Sequence, residues 1–379
     1  MNEPELRLST AAVAFLFISA LFGAAFASGQ EILKFFGSYG GIGKWGILLT
    51  TLLFMAFGQM TLRLSYEKQS QRLEDVISPV DHPLVKGFVS LVTGFCLVVI
   101  YIALMAAASV LFYEQLGIPR WTGGLLVGSL VMVTTIVGFE GISRIIPLVT
   151  PLMLILTLGA CVLILAVTRP GPVGDYEAFQ SPLAPNWIGA AMIYVAYNFI
   201  GAVPFLNTVA CATALSTNAR RGALIGAAGL GAAAFLLYST LMSDLGQAGL
   251  YELPMIYLAG KIAPACRILY SVILMIAIYC ASVNALYGAT KNAGKGNRKK
   301  RIAAILLTGF GGYIVSLFGF SNVISYIFPI QGYFCIALLL CILISYVRWK
   351  ISKKPEKKPE AAFKENILES REKDDTIIN

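Results

Sequence analysis

Four residues in the stretch ALFGAAFASGQEILKFF (20–36) carry chemistry that an apolar helix ordinarily avoids: Ser28, Gly29, Gln30 and the carboxylate of Glu31. Intramembrane acids are costly and usually functional. The competing reading of Glu31 is a surface pair with Lys34 at i, i+3. A second soft centre lies in PNWIGAAMIYVAYNFIGAVPFLNTVA (185–210), where Asn198, Gly201 and Pro204 follow Tyr194 and Tyr197. Glycine weakens a helix interior, and proline removes a donor and clashes with the preceding turn. In hydrocarbon, freed backbone groups persist only where protein or a watery cavity satisfies them. Backbone N–H groups opening a half-helix, with its positive dipole end, suit a carboxylate or another anion. Other chemistry is sparse. His82 is the only histidine, and the seven cysteines form no CxxC pair, so metal and redox sites give way to small buried hydrophobes.

The elements that must hold these residues are membrane spans. Hydrophobic residues make up 57% of the 379 positions and charged residues 13%, against about a quarter charged in soluble domains. A span needs roughly 20 apolar residues. Ten are expected, at 9–35, 42–64, 85–113, 121–139, 145–168, 186–212, 222–243, 254–289, 302–319 and 322–348. The leader MNEPELRLST and the long first run do not fit a cleaved signal, so the first span is expected to remain. Of 29 lysines and arginines, 23 fall on the side of the termini and the even-numbered connections and 6 on the other. The positive-inside rule then makes both termini cytoplasmic in a multi-pass protein of the cell membrane. The net charge of +9 reflects this topology, with the block KNAGKGNRKKR (291–301) beside anionic headgroups, and makes no case for nucleic acid. Glu140 and Arg144 fit an i, i+4 pair in the turn between spans 4 and 5.

Interruptions in the first and sixth of ten spans divide the chain into two five-helix halves, 9–168 and 186–348, flanked by a short N-terminus (1–8) and a charged tail (349–379) expected to be disordered. Five spans per half invert the second half, and paired broken helices point to a transport site near the midplane. Gly222 and Gly226 in span 7 illustrate the bland alternative, a small-residue packing face. Gly29 differs from them in its polar and acidic neighbours.

GAAFASGQEILKFF, YVAYNFIGAVPFLNT and GFEGISRIIPLVTPLM (138–153) together resemble the YkvI-type permeases, a branch of the amino acid–polyamine–organocation superfamily. The likeness covers about residues 9–348. It implies an all-α LeuT-type fold, a 5+5 inverted repeat in which helices 1 and 6 are unwound at the substrate and helices 3 and 8 line the same cavity. By position, Ala27, Ser28, Gly29 and Gln30 would then grip a solute carboxylate, with Asn198 to Gly201 as the matching element. Tyr194 and Tyr197 would cap the cavity. Tyr101 is either a wall residue or a packed tyrosine with one satisfied hydroxyl.

Sodium-driven members hold an ion between helix 1 and hydroxyls of helix 8, here Ala27 and Ser282, with Asn284 and Ser271 as weaker extras. The usual pair of adjacent hydroxyls is missing. Proton-driven relatives replace the ion with a lysine on helix 5, and span 5 has none. Na+ and H+ both remain open, with Glu31 as the gating or proton-sensitive group and no other cofactor expected. The expected function is secondary transport of a small organic solute, an amino acid or related amine or acid. A polytopic enzyme lacks a catalytic cluster here. A channel would need a pore-lining ring. A solute sensor with a transporter fold differs only in lacking net flux. Partners beyond lipid and solute, including any oligomer, have no signal in the sequence.

Overall fold

The computed structural model describes residues 8–69, 73–80, 82–137, 146–167, 176–213, 216–291, 293 and 297–352. The Glu140–Arg144 pair, part of the 291–301 block and the tail beyond Ser352 lie outside them. All the regular elements described are helical: α1 (Thr10–Leu21), α2 (Ala24–Ala27), α3 (Gln30–Phe35), α4 (Gly43–Lys68), α5 (Leu73–Ile77), α6 (Pro83–Leu116), α7 (Arg120–Val137), α8 (Ile146–Val167), α9 (Trp187–Cys211), α10 (Ser216–Met242), α11 (Leu245–Ala248), α12 (Pro254–Ile262), α13 (Pro264–Thr290), α14 (Arg298–Ser316), α15 (Phe320–Asn322) and α16 (Phe328–Ser352). A 3-10 segment, Gly37–Ile42, leads into α4, and a π-turn, Val323–Ile327, joins α15 to α16.

Local signals set most boundaries. The Asn186 side chain caps α9 by accepting from the Gly189 N–H (2.7 Å), and Asn297 caps α14 by accepting from that of Lys300 (3.1 Å). Pro83 stands in the first turn of α6, where its missing N–H costs nothing, and Gly117 in the left-handed region closes that helix.

Among the described residues, eight segments are long and apolar enough to cross a membrane: 37–68, 83–116, 120–137, 149–167, 187–211, 216–242, 264–290 and 320–352. The first expected span is divided into α1, α2 and α3, and the ninth, α14, opens in the cationic run RKKR. The long eighth span splits. Ala263 is extended between α12 and α13, and Pro264 restarts the helix. The last helix runs past the expected tail boundary at 349 to Ser352.

Contacts define the two ends of the bundle. At one end the Leu8 N–H bonds to the Ala212 carbonyl (3.0 Å), Lys68 reaches Ser345 (3.4 Å) and Arg348 donates to the Pro79 carbonyl (2.7 Å). This is the end where the described chain starts and stops. At the opposite end Tyr39 bonds to the Ala184 carbonyl, Ser181 to that of Ser325, and Arg120 pairs with Glu252. The loop-and-helix segment 244–262 lies across that end.

One expectation fails in detail. Span 6 is not unwound: α9 is a single helix with Gly201 and Pro204 inside it. Proline removes one backbone donor, yet the helix carries on past it to Cys211, and Gly201 keeps an ordinary helical φ, its missing Cβ leaving room beside Ile100.

Candidate functional site

The first span is interrupted twice, and the two interruptions differ. At the first, Phe22 (φ −85°, ψ 85°) and Gly23 (φ −94°, ψ 173°) leave helical geometry between α1 and α2. At the second, Gly29 takes φ +84°, a left-handed conformation that favours glycine, between α2 and α3.

A cavity of about 260 Å³ opens against the first interruption. Ser19 to Phe26 line it together with Glu31, the centre of α6 around Leu97–Leu104, the α8 residues Val149, Thr150 and Met153, Tyr197, Asn198 and Gly201 of α9, the α13 stretch from Ala277 to Asn284, and Phe328. Among the described residues of this wall, Glu31 is the one carboxylate, and no lysine, arginine or histidine joins it.

Glu31 is 4% exposed, and the Tyr194 and Tyr197 hydroxyls both face its carboxylate. The Tyr197 hydroxyl does so without closing a hydrogen bond of ordinary geometry and is otherwise buried without a partner. Aromatic rings frame the trio: Phe35 lies 5.5 Å from each tyrosine ring, and Phe328 lies 4.7 Å from Tyr197. The competing pair with Lys34 is not formed. The carboxylate turns inward to α9 instead, and the charge that acts on Lys34 is that of Glu252.

The structure therefore brings Glu31, Tyr197, Asn198, Gly201 and the weaker candidate Asn284 to one cavity, and the remaining candidates do not line it. Ser28 is buried, its hydroxyl donating to the Ala25 carbonyl (2.7 Å) and accepting from the Gln30 N–H (3.3 Å). The carbonyls freed at the second interruption have protein partners. The Tyr270 hydroxyl, itself 3.0 Å from Thr157, donates to the Ala27 carbonyl (2.7 Å), and the Met255 N–H donates to that of Ser28 (3.1 Å). Gly29 faces Met255 and Pro254, and the Gln30 amide oxygen is buried without a partner. Tyr101 is fully buried, its hydroxyl on the Gly309 carbonyl (3.3 Å), which is the packed-tyrosine reading. Tyr194 backs the cavity from behind Tyr197, their ring centroids 5.6 Å apart. The Ser282 hydroxyl donates to the Ile278 carbonyl of its own helix (2.6 Å) and so does not turn to Ala27. The seven cysteines are free thiols, with Cys96 and Cys335 in contact at 3.3 Å.

Sequence reasoning missed Gly23, Thr150 and Phe328. Gly23 carries no polar neighbour and reads like any small residue of a membrane helix. Thr150 and Phe328 are ordinary span residues whose role comes only from packing.

No family model matches the chain. Among curated proteins it is similar to the uncharacterized membrane protein YkvI of Bacillus subtilis (strain 168), 26% identical over 343 residues, covering 88% of this chain and 95% of that one. It is also similar to YyaD of the same strain, 22% identical over 337 residues, covering 88% and 97%. Among solved structures it resembles the Eremococcus coleocola manganese transporter in complex with an aromatic bis-isothiourea substituted compound, with TM-score 0.54, 14% identity and coverage of 95% and 90%. Mhp1, a nucleobase-cation-symport-1 family transporter in a closed conformation with bromovinylhydantoin bound, matches with TM-score 0.50, 13% identity and coverage of 86% and 75%. At these identities the likeness is one of fold. The chain is a multi-pass membrane protein with the LeuT-type fold.

Proposed function

We propose that the protein is a secondary transporter of a small organic solute, an amino acid or a related amine or acid, working by alternating access between the five-helix halves 9–168 and 186–348. The observation that carries this reading is the cavity at the divided first helix, whose described lining residues include one carboxylate, Glu31, and no cationic side chain. An ammonium group opposite Glu31, with the rings of Tyr197 and Phe328 beside it, fits that charge and those surfaces. The backbone at Phe22 and Gly23 offers polar groups to the rest of the solute. The fold shared with a manganese transporter does not carry its cargo over: among the described residues no three His, Cys, Asp or Glu side chains cluster.

Coupling to H+ fits better than coupling to Na+. Glu31 is an acid inside the cavity with no cationic partner among the described residues, whereas the Ala27 carbonyl and the Ser282 hydroxyl are both engaged by protein groups. The excess of cations at the chain ends favours a cytoplasmic position for both termini. A thermal-shift screen of amino acids, amines and organic acids on the purified protein identifies the solute, and uptake into proteoliposomes under H+ and Na+ gradients tests transport. Saturable, gradient-driven uptake supports the proposal. Binding without flux would make the protein a sensor, and non-saturable flux a channel.

A further inference from the structure

A second concave surface lies far from the cavity, on the outside of the bundle between α4 and α10. It encloses about 480 Å³ and is lined by Lys44, Trp45, Ile47, Leu48, Thr51, Gly231, Ala232 and Phe235. We propose that this groove is a binding site for one anionic phospholipid, the acyl chain lying along Leu48 and Phe235 and the phosphate at Lys44.

Three observations support this occupant. The first is depth. Lys44 stands in the first turn of α4, at the end of the bundle crossed by the 244–262 segment. At 1.5 Å per residue, Thr51 lies roughly 10 Å further in, within one leaflet of a hydrocarbon core about 30 Å thick. Trp45, 54% exposed beside Lys44, occupies the level at which tryptophans mark the membrane interface.

The second is shape. Gly231 is held to glycine by the Thr51 side chain, which a Cβ there would strike, so α4 and α10 approach closely. The exposed Ala232 next to it leaves the space that Trp45, Leu48 and Phe235 wall in.

The third is charge. The other described cations of this end have protein partners or are half-buried. Arg120 pairs with Glu252, Lys261 with Asp244, Arg267 donates to Gln115 (2.8 Å) and the Glu114 carbonyl (3.1 Å), and Lys34 is half-buried. Lys44 is exposed, makes no ion pair among the described residues and lies over its neighbour Trp45 at 5.9 Å. An anionic headgroup complements it. A second copy of the chain fits less well, because a two-fold contact through this groove would set Lys44 against Lys44 with no acid in the lining to separate them.

The test uses the full chain purified in detergent, with phosphatidylglycerol or phosphatidylcholine added in mixed micelles. Thermal stability and retained lipid are read together, the latter by native mass spectrometry. Wild type should bind phosphatidylglycerol about fivefold more tightly than phosphatidylcholine, the value of one cation near an anionic surface. Lys44→Gln should erase that preference, and Ala232→Trp, which fills the groove, should reduce retention of both lipids. Equal binding of the two lipids by wild type, unchanged in Lys44→Gln, would overturn the proposal. So would a concentration-dependent dimer that Ala232→Trp dissolves, since the occupant would then be a second copy. Neither substitution touches the cavity, so solute binding reports separately on the transport reading.

Discussion

Glu31 and Gly29 stand two positions apart, and the structure separates their roles. Glu31 faces the cavity, whereas Gly29 faces Met255 with φ +84°. A left-handed conformation costs a side chain roughly 1–2 kcal/mol, and a Cβ would also lie 3.0 Å from Met255 Cγ. We predict that Gly29→Ala lowers the melting temperature while the surviving folded protein still binds solute. Gly23 reverses the pattern. Its φ is ordinary and a Cβ there meets nothing within 4 Å, so Gly23→Leu should fold normally and lose solute binding by filling the cavity. Swapped outcomes in thermal-shift and binding assays would mean that the second interruption is the solute site after all. Ser282→Ala removes only a bond within its own helix and should leave uptake and its Na+ response unchanged; a lost Na+ response would restore the sodium reading. Glu31, Tyr197 and Asn198 were legible in the sequence because polar groups stand out in apolar runs. Gly23 was not, since a cavity-facing glycine and a packing glycine share one letter and differ only in what surrounds them.

At the scale of elements, the segment 244–262 covers, like a lid, the end opposite Leu8 and Ser352. Glu252 fastens it. One carboxylate oxygen pairs with Arg120, the other accepts from the Ser321 N–H (2.8 Å), and the Glu252 N–H donates to Glu114 (2.9 Å). Met255 ties the same segment to the second interruption through the Ser28 carbonyl. Hydrogen bonds to charged groups contribute roughly 1.5–3 kcal/mol. Glu252→Ala should therefore speed amide hydrogen exchange across 244–262 while leaving α6 protected; unchanged exchange would show that Glu252 does not hold the lid. In the sequence the last part of this segment runs into one long span, 254–289, because apolar residues continue across it, whereas Ala263 ends one helix and Pro264 starts another. The break expected in span 6 is the opposite case. Gly201 and Pro204 permit a break without requiring one, and here the helix continues.

At the scale of the molecule, the fold class was the most legible property, since length and hydropathy dictate membrane crossings before any site is considered. From the charge asymmetry we predict that both termini are cytoplasmic. Reporter fusions at 70, 215 and 296 should read cytoplasmic and those near 117 and 176 external; an external signal at 296, inside the densest basic run, would invert the topology. The central claim is that the cavity moves a solute whose positive group pairs with Glu31, and uptake of the solute found by the thermal-shift screen, in proteoliposomes carrying wild type or Glu31→Gln, tests it most directly. Wild type should give saturable uptake above protein-free vesicles, with a pH-dependent rate. Glu31→Gln, similar in shape and uncharged, should insert in similar yield and lose most of that uptake together with its pH dependence. Equal rates and equal pH profiles in the two proteins would contradict the claim.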